Sequence, residues 1–283
     1  MRRDRGEVRT CSWGDRDVRR GVFASRFVLV PLSAKPYLQQ VSVRSDAQID
    51  VEVYPYNIPS VREMGCLEFH ANVTFFVGEN GAGKSTVLES IALALGYSSE
   101  GGTRNVQLKT TDSVSPLHHS LRLGRSFIKP RDGYFLRAES FFNVATYMDE
   151  VGNHGPSMHD CSHGEAFMAL LTDKFRGKGL YLLDEPEAAL SPTRQLMALA
   201  AINNLVHDQS QFIIATHSPI LLSYPNARIL RFDSSGISEI QYEETEHFAV
   251  TRDFLSNYPR RLQQLFSDDL LPATTRADSF PAM

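Results

Sequence analysis

The most constraining feature of this chain is a glycine-rich run from Gly78 to Ser85, which reads GENGAGKS. The run fits the pattern G-x-x-x-x-G-K-[ST], and it follows the short apolar segment Val73–Val77, which is typical of a buried strand. Beyond it, apolar residues recur at helical spacing as far as Leu95. Strand, glycine loop and helix in this order predict a loop that binds the phosphates of a nucleoside triphosphate.

The residue types in the loop suit phosphate binding. Glycines permit backbone angles at which successive N–H groups point at phosphate oxygens, and the Lys84 ammonium supplies a positive charge. Ser85 offers its hydroxyl to Mg²⁺, and the N-terminus of the following helix adds its dipole. The alternative interpretation is an ordinary glycine-rich loop before a helix. The predicted triphosphate-binding residues are Gly78, Glu79, Asn80, Gly81, Ala82, Gly83, Lys84, Ser85 and Thr86.

Composition limits the classes of protein that remain. With 283 residues, 42% of them hydrophobic and 22% charged, the chain is predicted to be globular, with one large α/β core or two modest ones. A net charge of -4 argues against a surface that binds polyanions throughout. Three cysteines without a C-x-x-C pair predict neither a disulfide framework nor a zinc site. No apolar run approaches the roughly 20 residues that span a bilayer, so we expect a cytoplasmic protein without a membrane partner.

Composition along the chain predicts one main domain with extensions. Residues 1–20 hold seven arginines and four acidic residues without apolar periodicity, which predicts a disordered extension. A single domain is expected over 21–270, with a smaller lobe at about 97–178 and a flexible tail at 271–283. Before the phosphate loop, alternating segments such as Gln48–Tyr54 predict antiparallel strands.

Two features of this domain have open interpretations. Tyr54 or Tyr56 either stacks on an adenine ring or is a half-buried strand tyrosine. A basic stretch is either a contact surface for a polyanion or acidic partner, or a solvated face with structural arginines. Its residues are Arg122, Arg125, Lys129, Arg131 and Arg137.

A second constellation lies about a hundred residues after the phosphate loop. The apolar run Gly179–Asp184 is typical of a strand buried on both faces, and Glu185 and Pro186 follow it. Acids at the carboxyl end of such a strand lie where ligands bind. Asp184 is predicted to hold Mg²⁺, and Glu185 to act as the general base that activates water. A polar turn after a strand is the alternative.

Two further segments complete the pattern. Ser162 and Glu165 form S-x-x-E, which predicts a capping box at a helix start, and a helix N-terminus is also an anion site. The segment 211–216 predicts a strand that ends at His217, where an imidazole could bond to a γ-phosphate.

The order of these motifs resembles that of the ABC-type ATPase superfamily of P-loop proteins. Four segments are similar to motifs of small stand-alone ATPases of the AAA/ABC class near the SMC and RecF branch: GENGAGKST, SHGE, LLDEPEAALSP and THSPIL. The resemblance covers roughly residues 45–265. The resemblance implies an α/β fold with a mixed central sheet flanked by helices, an N-terminal antiparallel β-lobe and a small helical lobe. It also implies ATP and Mg²⁺ as cofactors, with Lys84, Glu185 and His217 as catalytic residues.

The resemblance further implies a dimer. Ser162 and Gly164 would complete the ATP site of a second subunit in a head-to-tail homodimer, so that ATP joins the two copies. Ser85, Asp184 and Glu139 are the implied metal ligands, with Glu139 standing where the family has a glutamine. His163, the second residue of SHGE, stands where the family usually has a small residue.

The predicted function is a Mg²⁺-dependent ATPase, slow without its partner, whose ATP-driven dimerisation is a switch read by an unknown protein or nucleic-acid client. Two alternatives stay open at this point. One is a nucleotide-binding regulatory subunit with negligible turnover, and the other is an ATPase of DNA repair or defence that acts on nucleic acid.

Overall fold

A computed structural model of the chain describes residues 35–104, 115–138 and 162–267. Contacts divide the chain into two units, Met1–Leu32 and Ser33–Met283, and every described residue lies in the second. Within the described ranges, no helix combines the length and the apolar character needed to cross a membrane.

The described elements alternate between strands and helices. The strands are β1 (Leu38–Val43), β2 (Cys66–Glu68), β3 (Val73–Val77), β4 (Leu121–Arg125), β5 (Asp132–Arg137), β6 (Gly179–Asp184), β7 (Gln211–Ala215), β8 (Arg228–Asp233) and β9 (Gly236–Ile240). The α-helices are α1 (Pro59–Arg62), α2 (Lys84–Ala94), α3 (Leu117–Ser120), α4 (His163–Ala169), α5 (Pro192–His207), α6 (Pro219–Leu222) and α7 (Glu246–Phe266). A π-helical turn, Leu170–Lys174, extends α4, and 3₁₀ turns span Pro186–Ala189 and Tyr242–Glu244.

These strands form two sheets. The larger has the order β5–β6–β7–β3–β8–β9, parallel except for β9, which pairs with β8 in an antiparallel hairpin. The smaller sheet has the order β2–β1–β4 and is antiparallel throughout. The predicted α/β fold, with a mixed central sheet and an antiparallel sheet from the N-terminal half, is therefore confirmed.

The central strands are mostly apolar, as expected where both faces of a sheet are covered. Every residue of β3, β6 and β7 is buried. Neighbouring residues of a strand face opposite sides, so Phe76 joins the hydrophobic cluster that contains Leu88 of α2, while Phe75 joins the one that contains Ile202 of α5. Parallel order brings the carboxyl ends of β3, β6 and β7 to one edge of the sheet, which is where ligands bind in sheets of this kind.

The predicted strand at Gln48–Tyr54 is wrong. The segment forms turns, in which Asp50 Oδ1 accepts a hydrogen bond from the Glu52 N–H at 3.0 Å and the Asp50 carbonyl accepts one from the Val53 N–H at 3.2 Å. An aspartate that bonds the backbone two residues on favours a turn over a strand. The alternating apolar side chains are consequently exposed, with Val53 at 54%.

A buried glutamine joins the two sheets. Gln211, at the start of β7, is 0% exposed, and its Oε1 accepts the Leu38 N–H at 3.0 Å. Its Nε2 donates to the Leu38 carbonyl at 2.9 Å and to the His70 carbonyl at 3.1 Å. The side chain thus satisfies three backbone groups, two in β1 and one before β3.

We expect Gln211→Leu to lower the free energy of unfolding by about 3 kcal/mol, because a buried polar group left without its hydrogen bond costs about 1 to 3 kcal/mol. Urea denaturation followed by circular dichroism measures this change. The matched control is Gln39→Leu, which makes the same substitution at an exposed position of β1 and should change the free energy little. Equal effects of the two substitutions would contradict the bridging role.

Candidate functional site

The phosphate loop lies between β3 and α2, and its glycines have backbone angles that other residues rarely adopt. Gly78, Gly81 and Gly83 have φ of 141°, 80° and 96°. A Cβ at Gly78 would clash with the Phe232 carbonyl oxygen near the end of β8, so glycine is required there. At Gly81 no atom lies within 4 Å of such a Cβ, so the loop is open at this point.

Lys84, the first residue of α2, lies inside the loop. Its side chain is nearly buried, and Nζ donates to the carbonyls of Gly78 at 2.8 Å and Glu79 at 2.9 Å. Desolvation lowers the pKa of Lys84, and the nearby Glu185 and Asp184 carboxylates oppose that shift. The loop therefore holds a cation whose partners are neutral carbonyls, which an anionic phosphate would replace with a stronger, charge-assisted interaction.

Ser85 and Asp184 meet across the end of β7. Ser85 Oγ donates to Asp184 Oδ1 at 2.9 Å, and Asp184 is 6% exposed at the end of β6. A hydroxyl and a carboxylate oxygen side by side are hard ligands that suit Mg²⁺, which takes few protein ligands and completes its shell with phosphate oxygens and water. These two residues therefore fit the predicted metal role. Glu139, the third predicted ligand, lies outside the described residues.

Glu185 and His217 come from neighbouring strands and face each other. Glu185 follows β6 in the left-handed region, with φ of 50°, and its N–H donates to the Ala215 carbonyl at 2.9 Å. Its side chain is 45% exposed, and Oε1 lies 3.7 Å from His217 Nε2. Burial lowers the pKa of His217, and Lys84 lowers it further. The proposed base thus reaches solvent while the imidazole is favoured in its neutral form.

Glu187 is a site residue that the sequence does not reveal. Its Oε1 accepts the backbone N–H of His217 at 2.5 Å, and burial raises the pKa of the Glu187 carboxyl. Within the described part of the chain, its Oε2 has no hydrogen-bond partner. Glu187 therefore fixes the backbone that carries His217, and only the pairing of β6 with β7 brings the two residues together.

The predicted capping box at the start of α4 is confirmed. The Ser162 N–H donates to Glu165 Oε2 at 2.9 Å, and Arg194 of α5 donates to Ser162 Oγ at 3.2 Å and to Glu165 Oε1 at 3.0 Å. A Cβ on the buried Gly164 would lie 2.5 Å from Arg194 Nη1 and 2.8 Å from the Ala189 carbonyl. Ser162 itself is exposed, and its hydrogen bonds go to α4 and α5 rather than to the phosphate loop. No sequence pattern predicted Arg194.

The two candidate tyrosines have different surroundings. Tyr54 is 53% exposed, and its Oη lies 3.3 Å from Thr86 Oγ1, one residue beyond Ser85. Tyr56 is buried and its Oη lies 2.6 Å from Ser120 Oγ. Of the two, Tyr54 is the one with an exposed ring beside the phosphate-loop helix.

The basic stretch contains structural arginines. Arg125 donates to the Ala94 carbonyl at the C-terminal end of α2 at 3.0 Å, and Arg137 bonds to Glu89 of the same helix at 3.2 Å. A cation at the last carbonyls of a helix also complements the helix dipole. These two contacts support the interpretation as a solvated face with structural arginines.

Comparisons with known proteins agree with the motifs. Residues 57–140 match the family model described as an AAA domain. A search of curated proteins gives no match.

Several solved structures are similar to this chain at low identity. CbiO1 from Clostridium perfringens, part of the ABC transporter complex cbiONQ, is 14% identical with a TM-score of 0.44, over 81% of this chain and 99% of that chain. An SMC head bound to the C-winged helix domain of ScpA is 14% identical with a TM-score of 0.42, over 74% and 99%. The SMC head domain from Thermotoga maritima is 13% identical with a TM-score of 0.33, over 72% and 98%.

The AAA-domain match covers β3, the phosphate loop and α2, and the sheet places Asp184, Glu185 and His217 beside that loop. Over residues 57–140, this match agrees with the P-loop resemblance that the motifs predict.

Proposed function

We propose that this protein hydrolyses ATP to ADP and phosphate in a Mg²⁺-dependent reaction. The observation that carries the proposal is the meeting of Lys84, Ser85, Asp184, Glu185 and His217 at one edge of the central sheet. These residues supply a cation, a pair of hard oxygen ligands, a carboxylate that reaches solvent and an imidazole. Phosphoryl transfer needs little more from a protein, because its catalysis is mostly positioning and charge stabilisation.

Each residue has a role in this reaction. Lys84 exchanges its carbonyl partners for phosphate oxygens, and the loop N–H groups bind the same anion. Glu185 accepts a proton from the attacking water, and such a base typically supplies about 10² to 10⁴ in rate. His217 donates a hydrogen bond to the γ-phosphate. Ser85 and Asp184 would hold Mg²⁺, which neutralises charge on the phosphate oxygens when it is bound.

We also propose that ATP joins two copies of the chain head to tail, and that hydrolysis separates them. Support comes from Ser162, an exposed residue at the N-terminus of α4, and from Gly164, whose missing Cβ lets the Arg194 guanidinium approach and bond to Ser162 Oγ. A helix N-terminus with a guanidinium beside it suits an anionic phosphate of another subunit. The dimer would be a cytoplasmic switch for a protein or nucleic-acid client.

Phosphate release by the purified full chain tests this function. We expect turnover that needs Mg²⁺ and ATP, and that rises per mole of protein as the protein concentration increases, because two copies complete each site. ATP binding without phosphate release at any concentration would instead support a regulatory subunit with negligible turnover. Stimulation by added DNA, at constant ionic strength, would identify a nucleic-acid client.

A further inference from the structure

His247, in the first turn of α7, contacts the site but matches no motif of the sequence. Its Nε2 lies 2.9 Å from Nδ1 of His217, and the two rings are tilted by 59° with centroids 5.1 Å apart. This distance and the ring nitrogens involved define a hydrogen bond between two imidazoles. One of the two nitrogens must therefore carry the proton and the other must accept it.

The first turn of α7 is held rigidly against the segment that follows His217. Thr245, the N-cap, is buried, and its Oγ1 donates to the Tyr242 carbonyl at 2.7 Å. Tyr242 Oη in turn donates to the Pro219 carbonyl at 2.8 Å, two residues beyond His217. The rings of Tyr242 and Phe248 also pack 4.6 Å apart. These contacts fix the turn that carries His247, and they therefore hold the His247 ring close to His217.

Both imidazoles are favoured in the neutral form, in which each ring carries one N–H. Burial lowers the pKa of His247, and His217 and Lys84 lower it further, while Glu246 and Glu187 oppose the shift. Burial and Lys84 likewise lower the pKa of His217, while Glu185 opposes that shift. Two neutral rings permit two arrangements of the shared hydrogen bond, and these differ in what His217 Nε2 offers to the site.

The surroundings of His217 Nε2 select one arrangement. This nitrogen is buried, it has no hydrogen-bond partner among the described residues, and it lies 3.7 Å from the Glu185 carboxylate oxygen. If His217 donated from Nδ1, its Nε2 would present a lone pair to that carboxylate, and it could only repel an anionic phosphate. If His247 donates instead, Nε2 carries the proton and faces both anions as a donor.

We propose that His247 is a positioning residue that donates its Nε2–H to His217 Nδ1 and so holds His217 in the tautomer that presents an Nε2–H to the γ-phosphate. The catalytic consequence rests on the proposed ATPase function, whereas the tautomer itself does not. Glu187 fixes the backbone of His217 and His247 fixes its ring, so the donor is oriented before ATP arrives. Removing the orienting partner of a metal-bound histidine typically costs about 10- to 100-fold in affinity or activity, and we expect a loss of the same order here.

The tautomer is read directly by ¹⁵N NMR of the full chain labelled at histidine, without nucleotide. We expect His217 to show a protonated Nε2 and an unprotonated Nδ1, assigned by the signals that disappear in His217→Gln. A protonated Nδ1 on His217 in the wild-type chain would overturn the proposal, and this holds even if the chain releases no phosphate.

Two substitutions distinguish a hydrogen-bond donor role of His247 from a role in packing alone. His247→Gln places an amide N–H the same number of bonds from the backbone, and we expect it to keep the His217 tautomer and to stay within about 3-fold of the wild-type kcat. His247→Glu offers only an acceptor, so His217 should protonate at Nδ1, with kcat about 10- to 100-fold lower and KM for ATP little changed. His207→Gln, at the exposed end of α5, is the control for loss of a histidine. Equal kcat for the Gln and Glu variants would overturn the proposal.

Discussion

Lys84→Ala should lower the affinity for ATP by at least about 100-fold, since each charge-assisted hydrogen bond contributes about 1.5 to 3 kcal/mol and 1.4 kcal/mol is a factor of ten. The Lys84 side chain is buried within the loop, and its ammonium donates there to two backbone carbonyls, so it is already placed for phosphate oxygens. Isothermal titration calorimetry of the full chain with ATP and Mg²⁺ measures the change.

Two controls accompany this experiment. Lys129→Ala removes a lysine from an exposed loop, and its affinity for ATP should match that of the wild type. Because Lys84 also bonds the carbonyls of Gly78 and Glu79, thermal unfolding must show that the variant is folded. A folded Lys84→Ala variant with unchanged affinity would refute the assignment of the phosphate loop.

The central sheet was predictable because the composition of its strands indicates that they are buried. The runs VTFFV, GLYLLD and QFIIA are mostly apolar, which is typical of strands covered on both faces. Alternation was a poorer guide at Gln48–Tyr54, where the local hydrogen bonds of Asp50 form turns instead. A period of two requires a neighbouring strand to become a sheet, and the sequence does not show whether one is present.

The site residues that directly follow strands were predictable from the sequence. The residues that contact them from distant parts of the chain were not. Asp184, Glu185 and His217 each end a recognisable strand, and the parallel order brings those ends together. Arg194, Glu187 and His247 follow no such rule. Arg194 lies 32 residues from the serine that it contacts, and His247 lies 30 residues from His217, so each contact depends on tertiary packing.

The predictable and the unpredictable residues also differ in their roles. The predicted residues would touch the phosphates, the metal or the water, and their types are fixed by that chemistry. The hidden residues hold the first group in place: Glu187 at the backbone of His217, His247 at its ring and Arg194 at the cap of α4. Many side chains can hold a backbone or a ring, so their identity carries little signal in one sequence.

Glu185→Gln should lower the rate of ATP hydrolysis by about 10² to 10⁴, the contribution typical of a general base. The amide has the shape of the carboxylate but cannot accept the proton of water. ATP affinity should change little, because Lys84 and the loop N–H groups are untouched. Single-turnover hydrolysis of radiolabelled ATP measures the rate of the chemical step. An unchanged rate would assign the base elsewhere.

The same variant tests the dimer, because a site that binds ATP without hydrolysing it should stay closed. Size-exclusion chromatography with light scattering, in ATP and Mg²⁺, should show Glu185→Gln as a dimer at concentrations where the wild type is largely monomeric. Glu243→Gln, the same change at an exposed residue, should alter neither hydrolysis nor mass. If Glu185→Gln binds ATP and remains monomeric, ATP does not join two copies, and Ser162 and Gly164 have no role in a second subunit's site.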